Sequence, residues 1–224
     1  MFDRISPRYD LLNHVLSFGQ DILWRRKLAR NAGLSESTEV LDLATGTGDL
    51  LIALLKAHRP LKRAVGLDFS ENMLAICRQK LEKRGLDSDV ELMTADACET
   101  GLPDGSFDLA TIGFGIRNTA DVPATLREIH RLLKPGGKAI ILEFSMPGNR
   151  FIYRLYAFYL RRAVPLIGGL ISGDRGAYAY LDSSIEAFHN PEQFTQTLKD
   201  AGFSTINATP LTLGVAHIYA GVKP

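Results

Sequence analysis

The sequence predicts an α/β domain built on a doubly wound, mostly parallel sheet. Short apolar runs alternate with amphipathic helical patterns through the middle of the chain. A turn with two glycines follows the first apolar run, and two more runs close the chain after the last helical pattern. We therefore expect a seven-stranded sheet with a carboxyl-terminal antiparallel pair, in a single domain that covers residues 1–224.

The first half of the pattern supplies three strands. The first is Glu39–Leu43, whose apolar residues suit a buried parallel strand, and the second is Arg63–Leu67. Ser70 can cap the next helix, in which apolar residues recur at helical spacing until Gly85 ends it. The third strand is Val90–Thr94.

The second half continues the alternation. A PDGS turn precedes the fourth strand, Phe107–Ile112, and an amphipathic helix then runs from Asp121 through Leu133. The Pro-Gly-Gly sequence after Lys134 is expected to end this helix before the fifth strand, Ala139–Phe144. The last elements are a helix, Pro191–Ala201, and the closing strands, Phe203–Ala208 and Leu213–Val222.

Two segments fall outside the alternation. Residues 1–34 precede the first strand, and residues 147–189 form a gap after the fifth strand that is too long for a simple crossover. We expect an amino-terminal helical cap and a helical lid that cover the carboxyl ends of the strands. Ligands of open α/β sheets bind there, so these segments would build substrate specificity.

Composition excludes several classes of function. With 26 basic and 25 acidic residues the formal charge is +1, which predicts no nucleic-acid partner. Cys77 and Cys98 form no CxxC pair and suit buried, reduced thiols, while the five histidines lack metal-ligand spacing, so no metal is expected. Neither a signal-like amino terminus nor a long apolar run is present, which predicts a cytoplasmic protein.

The turn after the first strand predicts a ligand site. Gly46 and Gly48 allow close backbone approach, and the amides of Thr47, Gly48 and Asp49 would point at the ligand. Asp68 follows the second strand about twenty residues later, where an acid accepts hydrogen bonds from ribose hydroxyls.

Leu51 argues against a dinucleotide at this turn. It stands where the dinucleotide fingerprint has its third glycine or alanine. Together with the carboxylate of Asp42, it favours a cationic adenosine ligand without phosphates over NAD. Two alternatives to this ligand site are a turn that is shaped only by packing and a site for NAD.

The pattern of Asp42, Ala44, Gly46, Gly48 and Asp68 resembles the first two motifs of class I, Rossmann-like S-adenosylmethionine-dependent methyltransferases. Four longer stretches are similar to the ubiquinone/menaquinone biosynthesis C-methyltransferase family. They are YDLLNHVLSFGQDILWRR (residues 9–26), FGIRN (114–118), RLLKPGGKAIILEFS (131–145) and AYAYLDSSIEAF (177–188). The resemblance implies methyl transfer from S-adenosylmethionine to a ring carbon of a polyprenylated benzoquinol or demethylmenaquinol, and both acceptors stay open.

The resemblance also implies the cofactor residues. Thr47 lies in the glycine turn, Asp68 would bind the ribose, and Asp96 and Ala97 would lie near the adenine. A family serine before FG is Gly113 here, so that contact would come from backbone or water. Asp42 would either contact the methionine amine or orient the turn.

Other positions depart from the family pattern. Asp21 replaces a histidine, which removes a possible proton carrier. Asp182 replaces the proline after Tyr-Leu, and Phe188-His189 replaces Phe-Pro. These departures concern the substrate region and leave cofactor binding intact.

A quinol ring carbon becomes nucleophilic when a neighbouring hydroxyl loses its proton, so the site needs a base or a cation that stabilises phenolate. Arg117 is the candidate cation and Asn118 would orient a quinol oxygen, while Tyr9, Asp10 or His14 would take the proton. The structural alternatives are an ion pair between Arg117 and an acid such as Asp121, a helix cap at Asp10, and packed side chains at Tyr9 and His14.

The prenyl tail of such a substrate comes from a bilayer. Arginines interleave with aromatic residues in residues 150–170, which is typical of an interfacial segment, and Trp24 beside Arg25–Lys27 would assist. We expect reversible contact with the inner face of the membrane; an ordinary lid helix is the alternative. Parts of the sequence are also compatible with a homo-oligomer, with methylation of a different hydrophobic acceptor, and with a noncatalytic or NAD-binding protein.

Overall fold

The computed structural model describes residues 9–167 and 183–224. Its sheet has seven strands in the order β3-β2-β1-β4-β5-β7-β6, which confirms the predicted architecture. The strands are β1 (Glu39–Leu43), β2 (Arg63–Asp68), β3 (Val90–Thr94), β4 (Phe107–Gly113), β5 (Leu133–Phe144), β6 (Ser204–Leu211) and β7 (Ala216–Val222). Strands β1 to β5 pair in parallel, and β7 is antiparallel to both β5 and β6.

The helices include α1 (Tyr9–Leu16), α2 (Gln20–Asn31), α3 (Asp49–Ala57), α4 (Glu71–Glu82), α5 (Val122–Leu132), α6 (Arg150–Phe158) and α7 (Pro191–Asp200). The predicted cap is present at α4, where the side chain of Ser70 accepts a hydrogen bond from the Met73 amide. The side chain of Asp121 likewise caps α5 by accepting a hydrogen bond from the Ala124 amide. No helix of the described residues is long and apolar enough to cross a membrane.

The first residues of two strands, β5 and β7, differ from the prediction by more than one residue. β5 begins at Leu133, so the Pro-Gly-Gly sequence lies within the strand, and the pairing with β4 is irregular between Phe107 and Leu109. β7 begins at Ala216, because a short turn over Thr212–Gly214 precedes it and Leu213 has a positive φ of 61°. Both differences arise from local backbone geometry that apolar periodicity does not report.

Alternate residues of the strands contact helices on opposite faces of the sheet. Leu41 and Leu43 belong to the core cluster that includes α5 and α7, whereas Val40 belongs to the cluster that includes α2 and α3. Because β1 lies between β2 and β4, the chain order reverses there, and the carboxyl ends of β1 and β4 open a crevice.

The two added segments pack on each other over that crevice. Leu12 and Leu16 of α1 form a cluster with Leu160 and Val164, which follow α6. The hydroxyl of Tyr159 donates to the Leu16 carbonyl at 2.6 Å. Asp182, residues 168–170 of the interfacial segment and the side chain of Tyr9 lie outside the described part of the chain.

Candidate active site

The glycine turn connects β1 to α3. The Gly46 amide donates to the Asp68 carboxylate at 2.8 Å, which joins the ends of β1 and β2. The Gly48 amide donates to the Thr45 carbonyl, so the prediction that it points at a ligand is wrong. Gly48 has a φ of 83°, and a Cβ there would lie 2.4 Å from Cys77 Sγ, so this glycine serves the packing of the turn on α4.

Asp42 orients this turn. It is almost completely buried, and its two oxygens accept hydrogen bonds from the hydroxyls of Thr45 at 2.6 Å and Thr111 at 2.5 Å. Burial raises the pKa of Asp42 to about 6, against the lowering effect of these hydrogen bonds. The carboxyl group therefore ties the turn to β4.

A cavity of about 350 Å³, lined by both polar and apolar groups, opens at the carboxyl ends of the parallel strands. The side of the cavity nearest β1 is the glycine turn, and the far side is the loop after β3. The predicted cofactor residues that line it are Asp42, Gly46, Thr47, Asp68, Asp96, Ala97 and Gly113. Asn118 also lines it. The fold thus brings together residues that are far apart in the sequence.

A second cavity, of about 390 Å³, is mainly apolar. It lies between α1, α2, α6 and the ends of β4 and β5. The rings of Phe114 and Phe144 lie 4.4 Å apart between centroids, and Trp24 lies 6.0 Å from each of them. We call this the apolar cavity and the first one the polar cavity.

Arg117 lines the apolar cavity, and its guanidinium is held by a buried acid and a backbone carbonyl. Its Nη1 atom donates to Glu143 Oε1 at 2.5 Å and to the Phe114 carbonyl at 2.8 Å. Glu143 is fully buried; burial raises its pKa, and the charge of Arg117 opposes that effect. The ion-pair alternative is therefore present in the structure, but its acid is Glu143, because Asp121 caps α5.

Asp21 and Arg25 form a second buried ion pair. Asp21 accepts hydrogen bonds from Arg25 Nη1 at 2.5 Å and from Ser17 Oγ at 2.7 Å. Although burial opposes it, the charge of Arg25 and these hydrogen bonds lower the pKa of Asp21. Arg25 lines both cavities, with its guanidinium 5.1 Å from the centre of the Phe114 ring.

The polar residues of α1 bind neighbouring elements. Asp10 accepts hydrogen bonds from Thr47 Oγ1 at 2.5 Å and from Lys80 Nζ at 2.8 Å, so it connects the cap to the glycine turn. His14 Nδ1 lies 2.8 Å from the Asp21 carboxylate. The imidazole borders a third cleft, beside α3.

Comparison with known proteins identifies the family. The model of the ubiE/COQ5 methyltransferase family matches residues 1–223. The chain belongs to this family. A demethylmenaquinone methyltransferase of Thermus thermophilus is 48% identical over 224 residues, with full coverage of both chains. A ubiquinone/menaquinone biosynthesis C-methyltransferase of Geobacter sulfurreducens is 44% identical, covering 100% of this chain and 87% of the relative.

Solved structures share the fold of this methyltransferase. A possible histamine N-methyltransferase of Thermotoga maritima has a TM-score of 0.67 at 20% identity, covering 100% of this chain and 98% of its own. The [4+2]-cyclase SpnF has a TM-score of 0.71 at 19% identity, covering 100% and 94%. Because proteins with such different names share the architecture, activity must be argued from the site.

Sequence reasoning missed the position of Arg25 in this methyltransferase. The prediction placed residues 24–27 at a membrane surface, and it is wrong for Trp24 and Arg25. Trp24 is buried, and its Nε1 atom donates a hydrogen bond to Thr212 Oγ1 at 3.0 Å. Arg25 is buried beside it. The signal that could have found Arg25 is its spacing from Asp21, since residues four apart on a helix are neighbours.

Proposed function

We propose that this enzyme methylates a ring carbon of a prenylated quinol. The chain is an S-adenosylmethionine-dependent C-methyltransferase of menaquinone or ubiquinone biosynthesis. One observation carries the finer assignment: a polar cavity and an aromatic-lined apolar cavity adjoin, with Arg25 and Phe114 lining both. The first suits a nucleoside and the second suits a ring that carries an apolar tail.

The residues of the polar cavity fit the cofactor. S-adenosylmethionine supplies an electrophilic methyl group on a sulfonium sulfur. Asp68 is held by the amides of Gly46 and Ser70, and a carboxylate has further acceptor sites for ribose hydroxyls. The Asp96-Ala97 pair offers a hydrogen-bond acceptor and a small apolar surface for a flat base.

The acceptor ring would lie at the junction of the cavities. The short helical turn Ile116–Asn118 separates them, with Arg117 lining the apolar cavity and Asn118 the polar one. A guanidinium stays protonated and stabilises the negative charge of a quinolate oxygen, which makes the ring carbon more nucleophilic. Glu143 keeps this guanidinium in place.

One proton leaves for each methyl group that the ring carbon gains. Tyr9 and His14 remain the proposed acceptors. His14 borders the third cleft, and its hydrogen bond to Asp21 links it to a carboxylate that lines the apolar cavity. Proton transfer to His14 would therefore require a relay through water or a movement of α1.

The activity test uses purified protein, S-adenosylmethionine with a labelled methyl group, and short-chain demethylmenaquinol or methoxybenzoquinol. We expect label on a ring carbon of at least one acceptor. Label on oxygen, or transfer to neither ring, would contradict the proposal. An Arg117→Met variant should lose turnover while its affinity for S-adenosylhomocysteine is retained.

We infer from the surface of the lid that the enzyme contacts the membrane reversibly. Phe151, Leu155 and Phe158 recur on one face of α6 and are 76%, 63% and 66% exposed, an apolar surface that water solvates poorly. Leu155 also lines the apolar cavity, so this face borders a route by which a prenyl tail would enter. Phe18, also exposed, lies 5.8 Å from the Tyr159 ring and extends the same surface.

Vesicle flotation tests this contact. We expect the wild-type protein to float with vesicles, and a Phe151→Ser/Phe158→Ser variant to bind them more weakly, because neither substituted ring lines the apolar cavity. The control is methylation of a short-chain, water-soluble quinol, which should be unchanged. Equal flotation of both proteins would assign the contact to another surface.

A further inference from the structure

A third cleft, of about 340 Å³, lies between α2 and α3 and is lined by exposed cations. Arg26 and Arg30 come from α2, Lys56 comes from the last turn of α3, and Arg84 follows α4. We call this set of four residues and the space between them the basic cleft. His14 and Asp49 also line it. The proposed methyl transfer uses none of the four cations.

Their charges are not neutralised locally. Within residues 9–167 and 183–224, no carboxylate lies within ion-pair distance of Arg26, Arg30 or Lys56, and Arg84 donates to the Lys80 carbonyl. The acid of the cleft, Asp49, is already paired with Lys80. The whole chain has a formal charge of only +1, so this concentration of positive charge is local.

The ends of helices explain only part of this cluster. Arg30 and Lys56 lie in last turns, where cations interact favourably with the helix dipole. Arg26 lies in the middle of α2, and the dipole gives no reason for cations from two helices and from the turn after α4 to border one cleft. Converging like charges repel one another and attract a counterion with several negative oxygens.

We propose that the basic cleft binds a phosphate group, and that the phosphate belongs to the headgroup of an anionic lipid. A phosphate offers oxygens that both guanidinium and ammonium groups bind. The lipid source is favoured because Leu23, an exposed apolar residue, lies on the same face of α2 as Arg26 and Arg30. Apolar side chains beside cations are typical of surfaces that bind anionic bilayers.

This inference rests on the proposed membrane contact and gives it an orientation. The apolar face of α6 would enter the interface while the basic cleft holds headgroups beside α2. Both surfaces flank α1, which with α6 borders the apolar cavity. A quinol would then leave the bilayer directly into the site where it is methylated.

The test compares two variants with the same change in formal charge. Arg30→Glu/Lys56→Glu reverses cations from two helices of the cleft. Arg127→Glu/Lys199→Glu reverses exposed cations on α5 and α7, which pack on the other face of the sheet. Both variants should stay folded, with slightly lowered melting temperatures because Arg30, Lys56 and Lys199 lie in the last turns of helices. Both should keep the wild-type rate of methylation of a short-chain soluble quinol.

Binding is measured by flotation with vesicles of phosphatidylcholine alone or mixed with phosphatidylglycerol, at low and high salt. We expect the cleft variant to bind the mixed vesicles at least about thirtyfold more weakly than wild type, because each cation near such a surface contributes about 1 kcal/mol. The control variant should bind as wild type does, and high salt should reduce the difference.

Each other outcome is decisive. Equal weakening of both variants would overturn the inference, because net charge alone would explain it. No difference between the cleft variant and wild type would overturn it even where vesicle binding itself is confirmed. If inorganic pyrophosphate binds wild type but not the cleft variant, and vesicles bind neither, the phosphate site stands and its lipid source is wrong.

Discussion

Arg25 lies where the polar and apolar cavities meet. The Asp21 carboxylate and the face of the Phe114 ring hold its guanidinium there. Arg117, by contrast, is held by Glu143 and lines the apolar cavity but not the polar cavity. The two guanidiniums are thus held by different acids and lie against different rings, Phe114 and Phe144. A quinolate oxygen between them would have its charge stabilised twice.

We predict that Arg25→Gln lowers kcat/KM for the quinol by about tenfold to a hundredfold, because the variant loses one hydrogen bond to a charged oxygen of the acceptor. Arg25→Lys should keep part of the activity, and the defect should shrink for more acidic quinols, which form quinolate without help. Steady-state kinetics with acceptors of different acidity measures this effect.

Two controls separate this role from others. Arg26→Gln changes the neighbouring, exposed arginine and should leave soluble-quinol kinetics unchanged. Titration with S-adenosylhomocysteine should give the same Kd for wild type and Arg25→Gln. A large rise in that Kd, with no dependence on acceptor acidity, would assign Arg25 to the cofactor carboxylate instead.

The turn after β4 depends on close contact with the end of β1. A Cβ on Gly115 would lie 2.7 Å from the Cβ of Ala44, which has a backbone φ of 48° in the glycine turn. Phe114, the residue before Gly115 in the sequence, lines both the polar and the apolar cavity. One glycine of the FGIRN stretch therefore sets the distance between the cofactor turn and the wall of the acceptor cavity.

We predict that Gly115→Ala destabilises the protein by about 1–3 kcal/mol, as overpacking does in cores, and weakens cofactor and acceptor binding together. Gly148→Ala is the matched control, since an added Cβ there meets nothing within 4 Å. Thermal unfolding and S-adenosylhomocysteine titration measure both effects. A Gly115→Ala protein with wild-type affinity would show that the two turns move independently.

Asp42 links the active site to the stability of the whole sheet. Its pKa is about 6 in the folded protein, against about 3.9 in an unfolded chain. Folding therefore favours the protonated form. The stabilisation is fully present below about pH 4 and is lost as the pH rises through about 6.

We predict that Asp42→Asn removes this dependence. Between about pH 4 and pH 7 the free energy of unfolding of wild type should fall relative to the variant by about 2 kcal/mol. His130 and His217 have pKa values lowered by burial and change stability in the opposite direction, but they do so in both proteins. Chemical denaturation of both proteins without cofactor provides the measurement; parallel curves would contradict the prediction.

The sequence alone determined the order of strands and helices, the glycine turn and the acid after β2. These features follow from periodicity and turn chemistry, which depend on neighbours along the chain. It also determined that Met73, Leu74, Cys77 and Leu81 are buried on one face of α4. Where backbone geometry was irregular, as at Leu133 and Leu213, the same reasoning misplaced the strand boundaries.

The tertiary structure decided which charges meet. Glu143 follows Arg117 by 26 residues, Thr111 follows Asp42 by 69, and the basic cleft combines two helices and the turn after α4. Sequence spacing does not report such pairs, because the order of strands in the sheet and the packing of the cap on α3 set their distances. The cofactor turn is thus a local property of the chain, whereas the acceptor cavity and its cations exist only in the folded protein.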